Sequence, residues 1–175
     1  MSILDEVNDW HVRGRLFLVP TLFEPTQARI MFLSTELQAQ VYGPTWPSPQ
    51  EEDRWTALQA DLEAYVSGDV LAVAKHPFKG GRDAYLKRLH QARDEVWEIR
   101  SRNPEPQIRI FGRFAAKDVF IAFTWAERPT LGGPSSRAWR DAIVRCKTEW
   151  RRLFFAYDPF IGATYDDYIS NIILV

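Results

Sequence analysis

The feature that most constrains the fold is the alternation of side chains from Trp97 to Arg113, in the segment WEIRSRNPEPQIRIFGR. Apolar and charged residues alternate there with the period of a β-strand, on both sides of a Pro-rich interruption. A turn at Asn103 to Pro106 predicts a hairpin in which Arg100 lies opposite Arg109. The same register sets two further pairs: Ile99 with Ile110, and Trp97 with Gly112.

This hairpin sorts its side chains onto two faces. One face is apolar and is expected to pack on helices, with Gly112 leaving room for the indole of Trp97. Like charges placed opposite each other, as Arg100 and Arg109 are, cost stability unless another interaction offsets the repulsion. The second face holds six residues: Glu98, Arg100, Arg102, Arg109, Phe111 and Arg113.

A third strand is predicted in VFIAFTWA, from Val119 to Ala126. A turn at Ala115 to Asp118 predicts pairs such as Gly112 with Ile121 on the apolar face. We therefore expect an α+β fold in which an antiparallel β-sheet of three or more strands packs on helices and leaves an arginine-rich face in water. The same register places three residues beside the arginines: Phe120, Ala122 and Thr124.

The rest of the chain carries further strand and helix signals. RGRLFLVP and ARIMFLS are typical of strands. Ser48, Pro49 and Glu51 form a helix start, and apolar residues keep helical spacing from there to Gly68. A second helix is predicted to begin near Pro134 and to carry an apolar stripe that belongs to the core.

We identify no linker, so residues 1–175 are predicted to form a single domain. Residues 84–92 are compatible with either a helix or an extended strand. The apolar segment 172–175 is expected to join a sheet or to dock on a helix. The parts of the domain are an acidic N-terminal extension at 1–74, a core at about 86–152 and a C-terminal tail at 153–175.

Charge is divided unevenly along the chain. The formal net charge is -1, but the segment from Lys75 to Arg152 holds 18 Lys or Arg against 9 Asp or Glu. The remaining residues hold 4 basic and 14 acidic side chains. A basic segment between acidic ones indicates either an anionic partner or internal neutralisation. Residues 1–74 accordingly either pack beside the basic sheet and shield it, or extend the fold.

Residue content disfavours several classes of protein. The longest apolar runs fall far short of the roughly 20 residues that a membrane-spanning helix needs, so no membrane contact is expected. The start MSILDEVNDW is acidic and unlike a signal peptide, which predicts a cytoplasmic protein. Cys146 is the single cysteine, so no internal disulfide is possible, and the three histidines are scattered. We therefore predict no metal and no cofactor.

Two interpretations of the arginine-rich face remain open. In the first, Glu98 pairs with Arg109 while the other arginines extend into solvent, and the face adds only solubility. In the second, the repulsion between Arg100 and Arg109 persists because a polyanion, such as a nucleic-acid backbone, binds across them. Phe111 would then stack on a base or cover the arginine stems.

The order of motifs resembles the shared half of the RelE/HigB superfamily of bacterial toxins. That order is a helix, VWEIRS, a turn, QIRIFGRF, a turn, DVFIAFTWAER, a loop and GPSSRAWRDAIVRCK, and the resemblance covers about Leu86 to Arg151. It implies a small α+β protein with a RelE-like core. Members of the RelE and HigB branches cut mRNA in the ribosomal A site without a metal, and an antitoxin from the neighbouring gene holds them inactive.

The resemblance also implies roles for individual residues. Arg100, Arg109 and Arg128 match catalytic positions, where they would bind phosphate and stabilise its charge while the adjacent 2′-hydroxyl attacks. The implied partners are RNA or ribosome-bound mRNA and an antitoxin protein. The implied RNA-binding residues are Arg102, Phe111, Arg113 and Lys117.

Two departures from the family pattern keep another function open. Glu98 stands where active RelE-type members carry a basic residue, and the segment WAERP leaves Arg128 as the one cation of its loop. The alternative is a non-catalytic module of the same fold, of toxin or phage origin, that binds nucleic acid or a protein.

Overall fold

The computed structural model describes residues 1–21, 28–75 and 83–175. Within those ranges the chain has an α+β fold, in which helices pack on both faces of an eight-stranded mixed sheet. The elements in chain order are α1 (Ile3–Val12), β1 (Leu16–Leu18), β2 (Ile30–Ser34), α2 (Thr35–Val41), α3 (Pro49–Ser67), β3 (Leu71–Val73), β4 (Leu86–Arg88), a 3-10 turn (Ala92–Asp94), β5 (Trp97–Arg100), β6 (Ile108–Ala116), β7 (Val119–Glu127), α4 (Arg128–Leu131), α5 (Arg137–Leu153), α6 (Tyr165–Tyr168) and β8 (Ile172–Leu174).

The strand order across the sheet is β1-β2-β7-β6-β5-β4-β3-β8. Strands β4 to β7 form an antiparallel meander, and β1 is antiparallel to β2. However, β2 runs parallel to β7, and β3 runs parallel to both β4 and β8. The prediction of an antiparallel sheet therefore holds for the meander and for the β1–β2 pair, whereas β2 and β3 flank the meander in the parallel direction.

The helix signals in the sequence are confirmed. The Ser48 hydroxyl accepts a hydrogen bond from the backbone N–H of Glu51 at 3.2 Å, and α3 ends where Gly68 adopts a φ of 86°. The cap of α5 is Ser136, whose hydroxyl accepts from the N–H of Trp139. Of the two options for residues 84–92, the extended one is observed as β4, and the C-terminal apolar segment joins the sheet as β8.

The register of the β5–β6 hairpin is also confirmed. Arg100 lies opposite Arg109, as predicted from the length of the turn and the alternation of side chains. The hairpin has the two other predicted pairs as well, Ile99 with Ile110 and Trp97 with Gly112.

The predicted register of the third strand is wrong. Strand β6 continues to Ala116, so the turn shrinks to Lys117 and Asp118, where Asp118 has a φ of 61°. Irregularities between Phe111 and Gly112, and again before Ala116, shift the pairing further. As a result Gly112 lies opposite Ala122 rather than Ile121.

Gly112 is required by a close contact that the sequence did not indicate. A Cβ atom at this position would lie 2.4 Å from the backbone oxygen of Ile121 and 2.5 Å from the Phe120 ring. The glycine therefore makes room for Phe120 and the β7 backbone, and Trp97 is its cross-strand partner on β5.

Gly112→Ala is expected to lower the free energy of unfolding by about 2 to 3 kcal/mol, since a backbone oxygen cannot give way as a flexible side chain can. Urea denaturation followed by circular dichroism would measure the change. Gly133→Ala is the matched control, because a Cβ there meets nothing within 4 Å. An equal loss in both variants would contradict the steric explanation.

One face of the sheet, here called the α3 face, holds the larger core. Helices α2 and α3 pack against it, and its buried side chains include aromatic residues from the meander. Trp97 contacts Phe114 edge to face, with ring centroids 5.2 Å apart. Representative members of this core are Leu37, Trp55, Leu58, Trp97, Ile110 and Phe120.

The opposite face, here called the α5 face, is covered by α1 and α5. Phe111 is fully buried there, and its ring meets that of Trp139 edge to face at 5.8 Å between centroids. The expectation of a water-exposed arginine face is therefore wrong over much of its length. The apolar stripe of α5 needs a partner surface, and Phe111, Phe123 and their neighbours on β6 and β7 supply it.

The described residues of the segment 1–74, which are 1–21 and 28–74, contribute strands to the sheet and are more than an acidic cover for it. They supply β1, β2 and β3, together with the first three helices. The indole Nε1 of Trp10 donates to the backbone oxygen of Leu153 at 2.9 Å, which ties α1 to the end of α5. Glu36 accepts from Arg145 at 2.6 Å, so part of the charge asymmetry is neutralised between segments.

Candidate anion-binding site

A group of charged side chains lies at one end of the hairpin on the α5 face. Lys87 of β4 is the cross-strand partner of Glu98 on β5, and Arg100 of β5 is the partner of Arg109 on β6. These positions share a face because side chains alternate along each strand. Arg128, at the start of α4, acts electrostatically on the same carboxylate. The five residues are called the Glu98 cluster.

Glu98 is the buried centre of this cluster. Its side chain is 2% exposed, with Oε1 3.3 Å from Nε of Arg100 and Oε2 3.5 Å from Nε of Arg109. Burial raises the pKa of Glu98, while Arg100, Arg109, Lys87 and Arg128 oppose that rise. The carboxylate thus separates two cations that the hairpin register brings together.

Arg109 is committed to partners within the protein. Its side chain is 5% exposed, Nη1 donates to the backbone oxygens of Ser101 and Ile108, and Nη2 donates to Oε1 of Gln107 at 2.8 Å. Burial lowers the pKa of Arg109 to about 10, with Glu98 acting in the opposite direction. Arg109 therefore positions the hairpin end and the Glu98 carboxylate rather than facing solvent.

Three cations form the accessible rim of the cluster. The Arg100 side chain is 17% exposed, and Lys87 and Arg128 are half-buried. Arg128 is held in place because Nη1 donates to the backbone oxygen of Gly132 at 2.9 Å and its guanidinium lies 5.9 Å from the centroid of the Trp139 ring. Burial lowers the pKa of Lys87, Arg100 and Arg109 add to this effect, and Glu98 opposes it.

The charge of the cluster is not balanced. Four cations surround Glu98, and Glu105 adds only a weaker electrostatic effect on Arg109. Excess positive charge at a partly desolvated surface attracts an anion, and guanidinium groups match the geometry of phosphate or carboxylate oxygens. The arrangement can therefore bind an anionic group across Lys87, Arg100 and Arg128.

The structure brings together only part of the predicted site. Arg100, Arg109 and Arg128, the three implied catalytic residues, all belong to the Glu98 cluster. Phe111 is not placed to stack on a base, because α5 covers it. Arg113 is buried further along β6, where it donates to the backbone oxygens of Asp94 and Glu95.

The two remaining predicted RNA contacts are exposed and lie outside the cluster. Arg102 follows β5 and donates to the backbone oxygen of Asp83. Arg109 is near the start of β6, whereas Lys117 lies in the turn that follows the last residue of that strand. Both are surface cations without a role in the Glu98 cluster.

Lys87 is the site residue that sequence reasoning missed. Residues 84–92 were compatible with either a helix or a strand, and only the strand places Lys87 beside the hairpin. The antiparallel pairing of Lys87 with Glu98 follows once β4 is recognised, since Leu86 then faces Ile99 on the α3 face.

Residues 1–21, 28–75 and 83–175 offer neither a metal site nor a membrane-spanning helix. No group of three or more His, Cys, Asp or Glu side chains in these ranges could hold a metal ion. None of the helices in the same ranges is long and apolar enough to cross a membrane.

Comparisons with known proteins give no relative from which a function could be transferred. No family model, curated protein or solved structure matches the chain.

Proposed function

We propose that this chain binds single-stranded RNA through the Glu98 cluster, as a protein with a RelE/HigB-like core over about Leu86 to Arg151. The observation that carries the proposal is the excess of cations around one buried carboxylate. Lys87, Arg100 and Arg128 contact backbone phosphates, while Arg109 stays within the protein and fixes Glu98.

Electrostatics favour a phosphate over a neutral ligand at this position. Attraction between charges is stronger at a partly buried site than in bulk water, because the effective dielectric constant is lower. Glu98 offsets the repulsion between Arg100 and Arg109, but its single negative charge leaves the rim of the cluster with a net positive charge. A backbone phosphate would add the negative charge that the rim lacks.

The binding of RNA is expected to depend on salt. Three phosphate contacts to a single strand predict a slope of log affinity against log salt of about -2, so raising salt from about 50 to about 200 mM should weaken binding roughly 20-fold. Fluorescence anisotropy with a labelled 12-nucleotide RNA would measure this dependence. Affinity that is unchanged across this range, or the lack of any RNA binding at low salt, would contradict the proposal.

Cleavage of bound RNA is a second candidate function. It is favoured by the convergence of Arg100, Arg109 and Arg128 on Glu98. In this reaction the 2′-oxygen bonds to phosphorus while the bond to the 5′-oxygen breaks, and nearby cations stabilise the added charge. The 2′-hydroxyl must also lose a proton and the departing 5′-oxygen must gain one, but the Glu98 carboxylate is 2% exposed and so is poorly placed to exchange protons with the RNA. We therefore rank binding above cleavage, and a denaturing gel of the anisotropy samples separates the two.

A non-catalytic module that binds a protein is the remaining alternative. An acidic protein partner, of which an antitoxin is one example, would meet the same three rim cations. A partner complex that survives high salt while RNA binding is absent would favour this function over RNA binding.

A further inference from the structure

A second cationic depression lies at the carboxyl end of α5. Its volume is about 230 Å³, and it is here called the α5 pocket. Arg113 of β6 lines it and is four residues along the strand from Arg109, a distance of about 13 Å. The residues that matter to its chemistry are Arg113, Lys147, Trp150, Arg151, Phe155 and Tyr157.

The floor of the α5 pocket contains a buried cation. Nε and Nη2 of Arg113 donate to the backbone oxygens of Glu95 and Asp94 at 3.3 and 2.5 Å. The guanidinium also lies 5.3 Å from the centroid of the Trp150 ring. Burial lowers the pKa of Arg113, although the carboxylates of Asp94 and Glu95 favour its charged form. The protein therefore holds this cation rigidly and largely out of water.

The mouth of the pocket adds two further cations. Nζ of Lys147 is 2.5 Å from Oδ1 of Asp94, so its charge is largely matched. Arg151, one turn further along α5, is exposed and acts electrostatically on Arg113. Together with Asp158, which also lines the pocket, these groups leave a net positive charge.

The wall of the pocket is aromatic and preformed. The indole Nε1 of Trp150 donates to the backbone oxygen of Tyr157 at 2.8 Å, and the Tyr157 hydroxyl donates to the backbone oxygen of Met1 at 2.7 Å. These bonds fix the turn after α5. Phe155 lies in that turn and is 89% exposed, although it lines the pocket. An aromatic ring exposed to water beside cations offers a stacking surface.

We propose that the α5 pocket binds one nucleotide unit, with the base stacked on Phe155 and the phosphate paired with Arg151. Its volume is below the roughly 300 Å³ at which ordinary small-molecule sites begin, so it admits a single base rather than a dinucleotide. The unit is either a free mononucleotide or part of an RNA strand. The inference does not depend on RNA binding at the Glu98 cluster.

Isothermal titration calorimetry with AMP, adenosine and ribose 5-phosphate tests both halves of the site. AMP is expected to bind at least tenfold more tightly than either fragment, because only AMP supplies a base and a phosphate. Phe155→Ala should weaken AMP binding roughly tenfold through lost stacking. Arg151→Gln should weaken the binding of AMP but not that of adenosine.

Two residues of α5 that do not line the pocket provide matched controls. Val144→Ala removes another exposed apolar side chain, and Arg152→Gln removes a cation that pairs with Glu149 at 2.6 Å outside the pocket. Both should leave AMP binding within twofold of the unchanged protein. A comparison of AMP with hexa-adenylate identifies where the bound nucleotide unit comes from. If hexa-adenylate binds more tightly than AMP and loses affinity in Phe155→Ala, the unit belongs to an RNA strand. If the two bind with equal affinity, the ligand is the free nucleotide.

The inference would be overturned by a lack of AMP binding at millimolar concentration. It would also be overturned by AMP affinity that Phe155→Ala and Arg151→Gln leave unchanged. Neither result bears on the Glu98 cluster, because Lys87 and Arg100 do not line this pocket.

Discussion

Glu98→Ala is expected to lower the free energy of unfolding by about 3 kcal/mol, because removing one partner of a buried ion pair leaves an uncompensated charge. The two carboxylate oxygens lie 3.3 and 3.5 Å from Nε of Arg100 and Arg109. Arg109 cannot turn into water, since its side chain is 5% exposed and bonded to Ser101, Gln107 and Ile108. Urea denaturation followed by far-ultraviolet circular dichroism measures the loss.

Glu36→Ala is the matched control for that experiment. Glu36 also pairs with an arginine, Arg145 at 2.6 Å, but both side chains are about half exposed. Exposed pairs contribute roughly 1 kcal/mol or less, so this variant should remain close to the unchanged protein. If Glu98→Ala costs no more than Glu36→Ala, the carboxylate does not hold the cluster together. Glu98→Leu combined with Arg109→Met should recover part of the loss, because the more deeply buried of the two arginines is then removed together with the carboxylate, while Arg100 is 17% exposed and can reach water.

The double variant Lys87→Gln, Arg100→Gln is expected to weaken RNA binding about 100-fold. Each change removes one charge-assisted hydrogen bond to phosphate, worth about 1.5 kcal/mol, and each 1.4 kcal/mol corresponds to a factor of ten. The slope of log affinity against log salt should also become less steep, since two of three phosphate contacts are lost. Anisotropy titrations at several salt concentrations measure both effects.

The control for this variant is Arg102→Gln, Lys117→Gln, which changes the net charge by the same amount at two exposed positions outside the Glu98 cluster. We expect it to weaken RNA binding only a few-fold, through the loss of long-range attraction. Equal losses in the two double variants would mean that overall charge, rather than the cluster, governs binding. Circular dichroism and urea denaturation of each variant establish that the fold is retained.

The β5–β6 hairpin could be predicted because its information is local. Alternating side chains assign each residue to a face, and the length of the turn fixes the register to within one pair. The pairing of Arg100 with Arg109 follows from these two facts alone. The same reasoning failed at β7, because Asp118 adopts a positive φ in a two-residue turn and the strand pairing is irregular near Gly112.

Burial of the second face could have been inferred from one signal. The run VFIAFTWA is apolar on successive residues, which is typical of a strand buried on both sides. The arginines on β6 argue against burial by residue type, yet Arg109 and Arg113 are buried and donate to backbone oxygens. The oxygens that Arg113 reaches belong to Asp94 and Glu95, which precede the hairpin and whose position the alternation of side chains does not give. Residue type alone therefore could not show which arginines reach water.

The parallel pairs of the sheet have a consequence for how the chain folds. β2 can pair with β7 only after the chain has been made to a point almost ninety positions later. β3 can pair with β8 only about one hundred positions later. Closing such long loops before their contacts form is entropically costly and slows folding. During synthesis, β2 and β3 must leave the ribosome with open edges and remain so until the later strands emerge. Newly made chains of this protein should therefore depend on chaperones more than chains whose strands pair only with sequence neighbours.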